Sequence, residues 1–195
     1  MKVLIVYAHP NPESFNHAVL EEFTRGLRDG GHSVEVVDLY GIGFDPRIKS
    51  EDLAQFRGGK MPDDVLEQQE KIKKADAMVF ISPIIWGSLP GMLKGWMDRV
   101  FSAGFSHRPP RKGEVGPQGL LTHKKALIIN TTMLPDPLYK NLGLETTIKT
   151  TFDNYILKTV GIQNVDHAFL HSVQLVPDEV RKGYLEKVYQ LGNKF

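Results

Sequence analysis

The sequence predicts an α/β fold, a doubly wound parallel sheet of five strands, from three observations. Short β-branched runs recur at 2–7, 33–39, 77–82, 126–130 and, more weakly, 165–170. Most of them are apolar throughout rather than alternating, as a parallel sheet covered by helices on both faces requires. Stretches with helical spacing of apolar residues separate them, and a regular strand-then-helix alternation folds as a doubly wound sheet. The expected strand order is 2-1-3-4-5, which places a ligand outside the carboxyl ends of the strands where the order reverses.

The elements follow in order. After the first strand comes a loop from His9 to Phe15, and the first helix opens near Asn16, where Val19, Leu20, Phe23 and Leu27 repeat at helical spacing until Gly30 and Gly31 end the pattern. The second helix runs from Pro62 or Asp63 to Lys74, with acids in its first turn and Lys71, Lys73 and Lys74 in its last, which suits the helix dipole. A third helix has Pro90 near its start and a stripe of Met92, Leu93, Trp96, Met97, Val100 and Phe101, read as sheet packing and a subunit contact rather than chemistry. Two more helices are expected at about 143–159 and 177–191. The stretch 104–123 holds three prolines and several glycines and reads as one long irregular connection, a kind of loop that is often functional.

Length and composition bound the function. A chain of 195 residues is expected to form one domain, 1–195, with a substantial core. The balance of 24 Lys+Arg against 23 Asp+Glu gives no footprint for nucleic acid or a membrane surface, so neither is expected as a partner. Cysteine is absent, which removes disulfides, thiolate metal sites and cysteine nucleophiles. The opening apolar run, from Val3 to Ala8, is too short for a secretory or membrane-spanning segment, and a cytoplasmic protein is expected. His107, His123, His167 and His171 lack metal-ligand spacing with carboxylates, so no metal is expected.

Three segments carry the candidate chemistry, one at the carboxyl end of each central strand. In the first, His9 to Asn16, the side chains of Ser14 and Asn16 lie beside helix-terminal N–H groups and form either a phosphate cradle or an ordinary capped turn. His9 could donate to a phosphate oxygen or bond the backbone. Neither a dinucleotide glycine fingerprint nor a P-loop is present. In the second, Pro83, Ile84, Ile85, Trp86 and Gly87 alternate apolar side chains with free backbone polar groups, which suits a flat heteroaromatic ring with polar edges. Trp86 taken singly reads as core. In the third, Asn130, Thr131 and Thr132 offer an amide, hydroxyls and backbone N–H groups from the other side.

Taken together, the Ser14-Phe15-Asn16 segment, the loop from Pro83 to Gly87 and the run Leu93-Lys94-Gly95-Trp96-Met97-Asp98-Arg99-Val100-Phe101 resemble the NAD(P)H quinone oxidoreductase family of flavodoxin-like flavoproteins, over most of the chain from Lys2 to about Gly161. The resemblance implies a flavin-dependent reductase that takes electrons from NADPH or NADH and passes them to a quinone or similar small oxidant by two-electron, ping-pong hydride transfer. It also implies a homodimer. A regulatory flavoprotein subunit bound to an ion-efflux partner is the alternative, and a one-electron carrier fits less well because the charge is near neutral.

By the same resemblance His9, Ser14, Phe15 and Asn16 hold the flavin phosphate and ribityl region, Pro83, Ile84, Ile85, Trp86 and Gly87 line the ring, and Thr131 and Thr132 match a threonine pair. Tyr139 falls on a tyrosine implied to hydrogen-bond the pyrimidine edge as charge builds there, which makes it the catalytic candidate. Two departures stand out. The family's two glycines are Met133 and Leu134 here, and the histidine partner of the tyrosine is Glu145. FMN is the expected cofactor, because little chain follows the fifth helix to embrace an adenosine half; FAD is the alternative. The basic stretch 108–112 could attract a nicotinamide phosphate or be a solvated loop.

Overall fold

The computed structural model describes residues 1–54 and 59–195. Five parallel strands form the main sheet: β1 (Lys2–Tyr7), β2 (Ser33–Asp38), β3 (Ala77–Pro83), β6 (Ala126–Thr131) and β7 (Val165–Leu170), in the order β2-β1-β3-β6-β7. Strands β4 (His107–Arg108) and β5 (Gln118–Gly119) make a separate antiparallel pair inside the long connection. The sheet is therefore the flavodoxin-like 2-1-3-4-5 arrangement.

Alternation of side chains divides the core in two. Val3, Ile5, Tyr7, Val79, Ile81, Leu127 and Ile129 face α1 (Phe15–Asp29) and α7 (Asp178–Asn193), where Val19, Phe23, Leu27 and Val188 are fully buried. Leu4, Val6, Met78, Phe80 and Ile128 face the other side, against α3 (Asp63–Lys74) and α4 (Gly91–Val100). Burial on both faces is why these strands read as continuous apolar runs. β2 lies at an edge, and Ser33, Glu35 and Val36 are exposed there.

The run from Leu93 to Phe101 is explained by packing. Leu93, Trp96, Met97 and Val100 are buried against the sheet. A Cβ on Gly95 would stand 2.2 Å from the carbonyl oxygen of Pro46, so only glycine lets the segment after β2 lie on α4. The buried Arg99 then fastens that segment. Its Nε and Nη2 donate to Asp52, on the short helix α2 (Ser50–Ala54), at 2.9 and 3.0 Å, while Nη1 donates to the Asp45 carbonyl at 2.8 Å and to Asp64 Oδ2 at 2.6 Å. The guanidinium holds the Asp64 carboxyl below its ordinary range.

Between β6 and β7 lie α5 (Asp136–Asn141), α6 (Leu144–Ile148) and a π-helical continuation of α6, Lys149–Leu157. The sequence predicts one helix over 143–159. Gly143, at φ 68, breaks the chain between α5 and α6, and the wider π turn brings Asp153 inward to meet His167 at 2.9 Å. In the 104–123 connection Arg108 donates from both Nη atoms to Glu114, at 2.7 and 2.8 Å, and this pairing holds the Glu114 carboxyl down at about 2. Arg108 is thus matched within its own loop.

Candidate functional site

Strands β1, β3 and β6 are parallel neighbours, so the loops that follow them share one rim of the sheet, on either side of the point where strand order reverses. All three predicted segments are on this rim.

The first loop leads into α1. Ser14 caps the helix, its Oγ accepting from the His17 N–H at 3.2 Å, and the first turn of α1 carries no acidic residue. Asn16 is buried, and its Nδ2 donates to Thr131 Oγ1 at 2.9 Å, tying the first loop to the third. Phe15 packs half-buried beneath the loop. His9 Nδ1 lies 3.1 Å from both the N–H and the carbonyl oxygen of Asn11, so the ring is held by the backbone of its own loop.

The second loop departs from its expected form. Ile85 and Ser88 exchange backbone hydrogen bonds of 2.9 and 3.0 Å, with Trp86 (φ 48) and Gly87 (φ 73) as the two central residues. Positive φ at both positions makes this a tight type I′-like turn. The Trp86 side chain is 101% exposed, so it is not core. A bulky residue in the left-handed region costs about 1–3 kcal/mol, and such strain gathers at sites of function. Pro83 pairs with Thr131, and the Ile84 N–H donates to the Thr131 carbonyl at 2.9 Å, which joins the second loop to the third. Ile84 packs on the core, whereas Ile85 is half-exposed beside Trp86.

In the third loop Thr131 and Thr132 are both buried, and Thr132 Oγ1 donates to the Leu134 carbonyl at 2.9 Å. Tyr139, on α5, is 1% exposed and lies tilted against Phe169 and His171, with ring centroids 5.6 and 5.3 Å away. Burial, with a smaller contribution from the charge of Glu145, pushes its phenol up to about 12. The hydroxyl therefore stays protonated across the physiological range.

Six buried side-chain polar atoms have no hydrogen-bond partner among the described residues: Tyr7 Oη at the end of β1, Asn16 Oδ1, His17 Nδ1 and Thr24 Oγ1 on α1, Tyr139 Oη on α5, and His123 Nδ1 in the long connection. Buried polar groups are almost always paired, so each such atom calls for a partner from outside the chain or a structural reason.

Sequence reasoning missed a layer beneath the rim. Asn130 Nδ2 donates to the Ser82 carbonyl at 2.9 Å, its Oδ1 meets His167 Nε2 at 2.9 Å, and His167 Nδ1 meets Asp153. His167 and Phe169 on one face of β7 and His171 just beyond its end stack in sequence, and that period-two pattern is the available signal. By sequence both histidines show only that they lack metal-ligand spacing with carboxylates.

A doubly wound sheet with apolar and hydroxyl-bearing loops gathered on its carboxyl rim defines the flavodoxin-like class. The family model described as a flavodoxin-like fold matches residues 1–194, and the chain belongs to that family. Among its relatives, an uncharacterized NAD(P)H oxidoreductase of Haemophilus influenzae is 30% identical over 191 residues, covering 97% of this chain and 93% of the relative. The rat (Rattus norvegicus) ribosyldihydronicotinamide dehydrogenase [quinone] is 34% identical over 160 residues, covering 73% of this chain and 68% of the relative. Among solved structures, NAD(P)H:quinone oxidoreductase from Methanothermobacter marburgensis superposes with a TM-score of 0.90 at 31% identity, covering 99% of this chain and 98% of the other.

Proposed function

We propose that this chain is a flavin-dependent NAD(P)H oxidoreductase that reduces quinones or related flat oxidants, and that the 195 residues act as one domain. The observation that carries the reading is that three of the six unpartnered buried polar atoms, Tyr7 Oη, Asn16 Oδ1 and Tyr139 Oη, belong to elements that meet at one rim. A flavin has donors and acceptors along its ribityl chain and pyrimidine edge, which are the partners such atoms lack. The relatives named for NAD(P)H and quinone chemistry support the same reading.

The residues divide the work. Ser14, Asn16 and the N-terminus of α1, with the His9 ring beside them, would hold the phosphate and ribityl chain. Phe15 supports that loop from below. Pro83, Ile84, Ile85, Trp86 and Gly87 would line the ring, while Thr131 and Thr132 close its other edge. When bound, the flavin supplies two-electron hydride chemistry that no side chain here offers. Tyr139 contributes a donor that is desolvated, protonated and already in place, the kind of preorganised group that stabilises developing negative charge. FMN is our choice of flavin, and a cytoplasmic homodimer our choice of state. The exposed Ile85, Trp86, Met133, Leu138 and Leu142 surround the rim and supply apolar surface for a second copy or an oxidant.

The test is the visible spectrum of the purified protein after supply of FMN or FAD and removal of excess, followed by anaerobic NADPH or NADH. Retained flavin absorption that bleaches on mixing is the expected result. Failure to retain either flavin would overturn the proposal.

A further inference from the structure

We propose that His171 is a positioning residue of the candidate site, fixing Thr132 and the 132–135 loop against α5 through both ring nitrogens, with the proton on Nε2 setting how firmly the loop is held. The link from this loop to a bound ring rests on the flavin reading above; the link from His171 to the loop does not.

The hydrogen-bond geometry carries the argument. His171 follows β7, and its side chain is 13% exposed. Nδ1 lies 3.1 Å from Thr132 Oγ1. With the Thr132 hydroxyl donating to the Leu134 carbonyl at 2.9 Å, Oγ1 is left as an acceptor and Nδ1 is the donor of the contact between them. On the other side Nε2 faces Asp136 Oδ1 at 3.2 Å, a carboxylate that also only accepts. The imidazolium alone satisfies both contacts while Thr132 keeps its bond to the Leu134 carbonyl; a neutral ring protonated on Nε2 keeps Asp136 but draws the Thr132 proton away from Leu134. A neutral ring protonated on Nδ1 keeps Thr132 and turns a lone pair toward Asp136.

The ring is held from other directions as well. It stacks on Phe169 at 5.8 Å and tilts against Tyr139 at 5.3 Å, while the Tyr184 hydroxyl, on α7, donates to the His171 carbonyl at 3.0 Å. Asp136 and Lys140 on α5, Glu145 on α6 and Lys187 on α7 line, with His171, a single cleft of about 500 Å³. Burial depresses the imidazole below its ordinary value; Asp136, Glu145 and the Leu134 carbonyl oppose that effect and Lys140 adds to it. The ring is thus neutral near pH 7, and the second contact closes as pH falls below the ordinary histidine range.

Amide hydrogen exchange in the flavin-free protein tests this directly. The N–H groups of Thr132 and Val173, which donate to the Leu170 and Thr132 carbonyls, report the loop. Their protection factors should rise about two- to tenfold as pH falls through the His171 titration followed by NMR, the range one added hydrogen bond supplies. H171N keeps a donor near Nδ1 but does not titrate, and should hold the high-pH value throughout. H171F keeps the stack and loses both contacts, and should fall below that value at every pH and weaken FMN binding by a similar factor in fluorescence titration. Protection independent of pH in the wild type, or an H171F loop as protected as the wild type, overturns the proposal. If the wild type binds no FMN, the flavin reading fails while the exchange result still decides the role of His171.

Discussion

Replacing Tyr139 by phenylalanine separates the demands of folding from those of function, because the two effects have opposite signs. The Tyr139 hydroxyl is buried and has no partner among the described residues. A buried polar group left unsatisfied costs about 1–3 kcal/mol, so Tyr139→Phe should stabilise the flavin-free protein while keeping the ring contacts with Phe169 and His171. For a chain of this size each kcal/mol moves the melting temperature by about 2–4 °C, so a rise of a few degrees is expected in a calorimetric scan. In the loaded enzyme the same change removes a preorganised donor, and losses of this kind are on the order of a hundred- to a thousandfold in rate. Stopped-flow bleaching of the flavin by NADPH measures it, with flavin affinity much less affected. A lowered melting temperature would mean that the hydroxyl has a structural partner, and unchanged reduction kinetics would remove Tyr139 from the chemistry.

Arg99→Met takes the bidentate donor from the buried Asp52, which keeps the Lys49 N–H at 2.7 Å, and a cost of about 3 kcal/mol, the low end for a broken buried pair, is expected in denaturant unfolding. The Asp64 carboxyl, depressed by the same guanidinium, contributes stability that is present above its unfolded pKa and lost as pH falls through the folded one. The acid limb of the stability profile should therefore be shallower in Arg99→Met than in the wild type. Ser14→Ala removes the cap on α1 at about 1 kcal/mol, whereas Ser14→Gly costs only a few tenths; both should lose FMN affinity relative to riboflavin if the hydroxyl reaches the phosphate. Trp86→Asn exchanges a strained, fully exposed side chain for one that tolerates the left-handed region, so stability should hold or rise by up to about 1 kcal/mol while oxidant KM increases.

The central strands were legible because helices cover both faces, so each run is apolar from end to end. Strands at 2–7 and 165–170 have the bounds read from the sequence. Elements held by distant partners were not legible. The five-residue α2 has no periodicity to read, and its Asp52 is anchored by an arginine 47 residues away. The six-residue α5, which carries Tyr139, is almost as short, and by sequence Gly143 reads as the start of a helix rather than as the break between two. In the site, the resemblance named the rim residues, but their conformations depend on tertiary contacts. Trp86 reads as core by residue type, and only the backbone pairing of Ile85 with Ser88 turns it outward. His171 meets Thr132 only because β7 pairs in register with β6.

The two tryptophans of this chain sit at opposite extremes. Trp96 is fully enclosed, edge-on to Phe80 and Phe101, with its indole N–H toward Gln68 at 3.4 Å. Trp86 stands in water at the rim. The intrinsic emission should accordingly divide into a blue component from inside the fold and a red one from the rim turn. With Trp96 replaced by phenylalanine, the remaining red emission would be a built-in optical gauge, quenched or shifted by whatever settles against Trp86 and indifferent to ligands bound elsewhere.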